Sequence, residues 1–272
     1  MTTGNPHEEA LRRAMQALER MQARLEAVQN AAHEPIAVVG LGCRFPGADG
    51  PDAFLARLRA GYDAVGTVPD DRAGLFDGAE GDLRRGGFLA DAAGFDADAF
   101  GIADAEAVAM DPQQRLLLET AWTALEDAGG AGGGLAGSRT GVWLGLGAQN
   151  SDYSWWQLTD PVRLDAHAIP GSFHSLMPGR LSYLLDLRGP SMVVDAACAS
   201  GLVAVHLACQ SLRRRECDAA LAAAVNLVLS PLVSRAVRES GLLSASGACR
   251  SFDDAADGFG RGEAAGALVL KR

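Results

Sequence analysis

The chain has 272 residues, 48% of them apolar and 21% charged, an ordinary globular composition with material for one large domain or two small ones. A net charge of −10 without a compensating basic stripe excludes a general nucleic-acid binder, and no apolar run reaches the roughly 20 residues of a membrane span. Five cysteines without paired metal-type spacing, and an N-terminus without a signal-peptide core, point to reduced thiols in a cytoplasmic protein with no metal and no bound cofactor.

Residues 6–30 place Leu11, Ala14, Leu18, Met21, Leu25 and Val28 at alternating spacings of 3 and 4, an a/d seam of the kind that joins two helices. About three heptads is short for a lone coiled coil, so the seam calls for a dimeric domain behind it. An amphipathic helix lying on its own domain is the alternative. His33-Glu34-Pro35 ends the helix and divides the chain into residues 1–33 and 34–272. Ile36–Gly40 reads as a short buried strand. The glycines that follow lack the G-x-G-x-x-G spacing, and Pro46 stands where a helix would open, which rejects a nucleotide loop. Cys43 reads as a core thiol.

Pro51–Ala60 predicts a helix with Phe54, Leu55 and Leu58 on one face, and residues 61–109 a long polar excursion over the surface. Asp111 and Pro112 are the N-cap and first residue of the clearest helix, stopped by Gly129-Gly130, with Glu119 and Glu126 solvated or paired with Arg115, a buried acid being the alternative. Gly141–Gly147 is a buried strand, 149–161 a loop with aromatic packing, and Pro178–Leu185 the end of a helix. A helix over 199–214, a strand over 218–229, a helix over 230–242, a loop over 247–261 and a strand over 264–272 complete an alternating α/β pattern.

Within that pattern, the run Ser191-Met192-Val193-Val194 ends in Asp195-Ala196-Ala197-Cys198-Ala199-Ser200-Gly201 and passes directly into a helix. A cysteine at such a turn lies beside unsatisfied helix N–H groups and the positive end of the dipole, a setting that favours a nucleophilic sulfur. Read from the residues alone, a buried core thiol is an equal alternative.

Several stretches carry a resemblance, Leu207–Leu212 and Asp253–Gly262 among them. Pro35–Gly40 with Cys43-Arg44-Phe45-Pro46-Gly47, Met110–Glu119, and Asp195-Ala196-Ala197-Cys198-Ala199-Ser200 resemble the motifs of type I modular polyketide synthase ketosynthases, the last matching their D-T-A-C-S-S active site. Residues 6–30 resemble the docking coiled coil that opens a synthase polypeptide. The resemblance implies a thiolase-like layered α/β/α sandwich, of which residues 34–272 form the N-terminal half, and a homodimer paired through about residues 191–196. It implies that Cys198 accepts an acyl chain as a thioester, its backbone N–H serving the oxyanion hole. The acyl chain and the malonyl-type extender would arrive on the phosphopantetheine of acyl carrier protein, for decarboxylative condensation. An upstream synthase subunit would dock on residues 6–30.

Ala196 and Ala199 stand where the family has Thr and Ser, which touches rate and substrate preference rather than reaction class. The two histidine motifs of the family's second half are not in the sequence. His206 lies about 12 Å down the helix from Cys198 at a 1.5 Å rise, too far for a Cys–His pair, and reads as core. His174 reads as a packing or hydrogen-bonding residue near the dimer interface. The chain is therefore expected to be a piece of a complete synthase, half of a split ketosynthase, or a remnant. A docking scaffold and a CoA-dependent thiolase-type enzyme are the competing readings.

Overall fold

The computed structural model describes residues 6–129, 134–147 and 152–272. The elements in order are α1 (Pro6–Ala32), β1 (Ala37–Phe45), β2 (Ala48–Asp49), α2 (Pro51–Arg59), β3 (Val65–Thr67), β4 (Arg85–Gly87), α3 (Asp104–Ala109) and α4 (Pro112–Asp127). There follow β5 (Thr140–Gly145), α5 (Asp152–Thr159), α6 (Ala168–Ser172), α7 (Leu176–Leu184), β6 (Ser191–Val194), α8 (Ser200–Arg213), β7 (Ala219–Asn226), α9 (Pro231–Glu239) and β8 (Ala264–Lys271).

Six strands form one mixed sheet in the order β2-β1-β8-β7-β5-β6. β5 runs parallel to β6 and β7, whereas β8 is antiparallel to both β7 and β1. Side chains alternate across the sheet as the pleat requires. Leu144, Leu221, Ala223, Ala267 and Val269 meet Leu116, Leu117 and Ala121 of α4 and Met177 and Leu181 of α7 on one face. Trp143, Ala220, Ala222 and Leu270 meet Ala204, Ala208 and Leu212 of α8 on the other. The result is the expected α/β/α sandwich, with β6 as an edge strand whose Ser191 and Met192 are exposed.

The glycines of β1 serve this packing. A Cβ at Gly42 would lie 2.3 Å from the Thr120 carbonyl oxygen, so α4 rests on β1 at backbone contact. That gives the Gly40/Gly42 spacing a packing cause.

Several expectations are corrected. β1 runs to Phe45, and its first residues, Ala37 to Val39, are exposed rather than buried, because the helices cover only the strand's later half. Leu55 and Leu58 of α2 are exposed, whereas Phe54 stacks on Phe45 with ring centroids 4.2 Å apart. The polar stretch 61–109 is not wholly superficial. It carries the β3–β4 ladder and α3, and Val68, Phe76, Ala79 and Leu83 form a separate core with Val228 and Leu243. Its apolar residues are too sparse for a periodic signal, and the long-range ion pair of Arg72 with Glu263 (2.6 Å) supplies the anchor. Within 149–161, residues 149–151 lie outside the described set, and Asp152–Thr159 is helical. Asp152 holds the start of α9 through the N–H groups of Leu229 (3.1 Å) and Ser230 (3.0 Å).

The predicted stop at Gly129-Gly130 is met in part: α4 ends at Asp127 and Gly129 turns with φ 68, while residue 130 lies outside the described set. Glu119 is half-buried and pairs with Arg44 at 3.4 Å rather than with Arg115, and burial raises its carboxyl above the usual range. Arg115 instead donates to the carbonyls of Met110 and Val108. In α1 the seam residues Leu11, Leu18, Met21 and Leu25 are all exposed, so the described part of the seam does not lie on its own domain. The side chain of Val28 lies outside the described residues. No helix among the described residues is long and apolar enough to cross a membrane.

Candidate active site

The strand-to-helix turn is built at the end of β6. Strand pairing with β5 ends at Gly145↔Val194, where the Leu146 N–H still donates to the Val194 carbonyl at 3.1 Å. Asp195 then folds back so that its Oδ1 accepts the Ala197 N–H at 3.0 Å. Ala197 adopts φ 50, the left-handed region, and opens a 3₁₀ turn over Ala197–Ala199. A non-glycine residue there costs about 1–3 kcal/mol and persists only where its surroundings hold it. Ser200, itself buried, supplies that hold, since its Oγ accepts the Ala196 N–H (2.9 Å) and donates to the Ala197 carbonyl (2.6 Å).

Cys198 sits at the tip of this turn, exposed, with α8 starting two residues later. The first turn of α8 lies directly on the sheet. A Cβ at Gly145 would fall 2.5 Å from the Gly201 nitrogen and 2.6 Å from the Ser200 carbonyl oxygen. A bare strand position thus sets how deep the helix, and with it the turn, is seated. Chemically the arrangement presents a thiol to solvent on a strained, hydrogen-bonded turn before a helix N-terminus, the layout that suits nucleophilic attack.

The Met110–Glu119 stretch ties surrounding segments to the head of α4. Asp111 caps α4 through the Gln113 N–H at 2.8 Å, and its own N–H donates to the Gly171 carbonyl at 2.9 Å. Gln113 accepts the Leu227 N–H at 3.2 Å, holding the end of β7. Gln114 donates to the carbonyls of Gly171 (2.7 Å) and Pro170 (3.1 Å) and accepts from Arg180 (3.2 Å). Arg180 also pairs with Glu106. Two glutamines and an arginine after a capping Asp-Pro were the available signal, because long polar side chains on a helix's inner face must find backbone partners.

His174, between α6 and α7, has an enclosed Nε2 with no hydrogen-bond partner. Burial lowers it below the ordinary histidine range, partly opposed by Asp111 and Asp195. His206 is exposed on α8 rather than in the core, since Ala204, Ala208 and Leu212 form the buried face and turn it outward. Cys43 is buried and its thiol is raised by desolvation, as a core residue. Cys209 is half-buried, Cys217 is buried and Cys249 is exposed. A cavity of about 970 Å³ lies between α5, α9 and residues 71–75, walled by Tyr153, Trp155, Trp156, Leu232 and Val233. Cys198 does not line it; the thiol presents on open surface.

With this geometry in hand, the likenesses to known proteins are specific. Residues 33–272 match the N-terminal domain of β-ketoacyl synthases. A phenolphthiocerol/phthiocerol polyketide synthase subunit of Mycobacterium tuberculosis (strain ATCC 25618 / H37Rv) is 52% identical over 251 residues, covering 89% of this chain and 16% of its own length. Another such subunit, from the Mycobacterium bovis synthase, is 50% identical over 248 residues, covering 88% of this chain and 14% of its own length. The oxazolomycin ketosynthase domain of Streptomyces albus JA3453 superposes with a TM-score of 0.76 at 36% identity, over 87% of this chain and 42% of that one. The ketosynthase from module 6 of the bacillaene synthase of Bacillus subtilis 168 gives the same score and identity, over 87% and 40%. The chain therefore spans about a sixth of these curated relatives and about two fifths of the solved ketosynthases.

Proposed function

The chain belongs to the β-ketoacyl synthase family, of which it carries the N-terminal, thiolase-like half, and from that membership we propose that it is the nucleophile-bearing part of a polyketide synthase ketosynthase, with Cys198 as acyl acceptor. The observation that carries this reading is the exposed Cys198 on the strained turn between β6 and α8. The Cys198 thiolate attacks the thioester carbonyl of an acyl group borne on the phosphopantetheine arm of acyl carrier protein. A new C–S bond forms, charge gathers on the carbonyl oxygen, and the Cys198 backbone N–H donates to that oxygen. The oxyanion collapses, the carrier's sulfur leaves as thiolate and takes up a proton, and the acyl chain remains on Cys198. Covalent capture splits a condensation into two accessible steps, and one oxyanion donor supplies about 3–4 kcal/mol. The later attack by a decarboxylated malonyl-type unit belongs to the whole synthase.

Two partners accompany this reading. The exposed Leu11–Leu25 seam of α1 favours helix association with an upstream synthase subunit, and the free edge of β6 suits pairing with a second copy in a homodimer. In the intact protein, incubation with an acyl-thioester donor should add the acyl mass to Cys198, and Cys198→Ala should abolish it. Labelling that survives Cys198→Ala, or no labelling of the wild type, refutes the assignment. Equal labelling rates from CoA and carrier-protein donors would favour the thiolase-type alternative.

A further inference from the structure

The amides of the Cys198 turn are spent within it, with one exception. The Ala196 N–H donates to Ser200 Oγ (2.9 Å), the Ala197 N–H to Asp195 Oδ1 (3.0 Å), the Ala199 N–H to the Ala196 carbonyl (3.1 Å) and the Ser200 N–H to the Ala197 carbonyl. Of the amides from Ala196 to Ser200, the Cys198 N–H alone has no acceptor among the described residues. The Ala197 carbonyl is the other end of that same peptide group, and it takes two donors from one residue, the Ser200 N–H and the Ser200 hydroxyl at 2.6 Å. In a planar trans peptide the N–H points opposite to the C=O. Two donors at the head of α8 therefore turn the Cys198 N–H away from the helix. Their pull on the carbonyl oxygen also makes that N–H a stronger donor.

We propose that Ser200 is a positioning residue for acyl transfer, aiming and polarising the Cys198 N–H through the Ala197 carbonyl. The inference rests on the acylation reading above, in which that N–H meets the thioester oxygen as charge gathers there. It separates two reactions of one thiol. Attack on a thioester builds an oxyanion and draws on an aimed donor. Attack on the CH2 carbon of iodoacetamide forms a C–S bond and releases iodide, with no charge gathering on a carbonyl oxygen, so it needs only an accessible thiolate. A hydroxyl that merely kept the turn folded would move both rates together.

The test follows two rates at Cys198 in the intact protein by peptide mass spectrometry: acylation by a short-chain N-acetylcysteamine thioester and alkylation by iodoacetamide. In Ser200→Ala and Ser200→Val acylation should fall about tenfold or more, the scale of a misaimed oxyanion donor, while alkylation stays within about threefold. Ser200→Thr keeps the hydroxyl in the shape of valine, so it should recover most of the acylation and controls for packing. Equal falls in both rates, unchanged acylation in Ser200→Ala, or a threonine variant as slow as the valine one overturns the inference. Amide hydrogen exchange over residues 196–198 reads the same hold without an acyl donor. It should speed up in Ser200→Ala, and unchanged exchange there also overturns the inference. A wild type that is alkylated but never acylated, with exchange still faster in Ser200→Ala, would remove the acylation reading alone.

Discussion

Gly145→Ala, set against Gly266→Ala, tests whether the sheet seats the nucleophile turn. Both glycines lie in strands of one sheet, Gly145 in β5 and Gly266 in β8, and neither has a positive φ. At Gly145 the new methyl meets Gly201 N and Ser200 C at 2.5 Å and Ser200 O at 2.6 Å, whereas at Gly266 nothing lies within 4 Å. Ordinary carbon contacts are about 3.5–4.0 Å, so α8 must retreat by about 1 Å, because β5 is fixed between β6 and β7. Overpacking of this kind costs about 1–3 kcal/mol, and removing a strand glycine returns about 0.5–1 kcal/mol. A net loss of about 1–2 kcal/mol follows, or roughly 3–6 °C in Tm for a domain of this size. Gly266→Ala should be neutral or slightly stabilising. Paired thermal melts, with the alkylation rate of Cys198 in each variant, check both claims. Equal melting of the two variants, with unchanged Cys198 reactivity in Gly145→Ala, would refute the seating argument.

Glu263→Gln should cost about 3–5 kcal/mol by denaturant titration, since it strands the buried Arg72 guanidinium; the double change Arg72→Met/Glu263→Gln should cost less than the sum of the single changes. Asp111→Ala removes the α4 cap, and about 1 kcal/mol should be lost in the same titration. Leu18→Glu, on the exposed seam, should leave the melting temperature of the domain within error while weakening association in sedimentation; a clear fall in Tm would place the seam against its own domain. Because burial lowers His174 in the folded state, the unfolded chain takes up the proton first on acidification, near the ordinary histidine pKa of about 6.5. Stability should therefore decline as pH falls below that value, and His174→Gln should show a shallower decline over the same window.

What the sequence revealed about the fold was set by contacts local in the chain. Asp111-Pro112 announces α4 because cap and first turn are neighbours, and β5 and β7 declare themselves as unbroken apolar runs covered on both faces. The 61–109 region gave no such signal, since Phe76 and Leu83 become core only against Val228 and Leu243, which lie far along the chain. α5 was hidden for a related reason: its aromatic residues suggested packing, but its first carboxylate finds its partners at Leu229 and Ser230.

The candidate site divides in the same way. Cys198 could be singled out because strand, turn and helix follow one another directly, and the family motif covers the same residues. The Asp195 and Ser200 contacts that hold the turn span two to four positions, so they too are local to that motif. His206 was misplaced because an apolar helix of mixed small residues does not declare which face meets the sheet. Gly145, Ala204 and Ala208 decide it, and only their three-dimensional register shows that α8 presses on β5 with its alanine side. His174 lies furthest from legibility. Its segment is tied down at Gly171, whose carbonyl accepts the Asp111 N–H and the Gln114 amide at the head of α4. A residue whose enclosure depends on a helix far back in the chain acquires its setting only when the chain has folded around it.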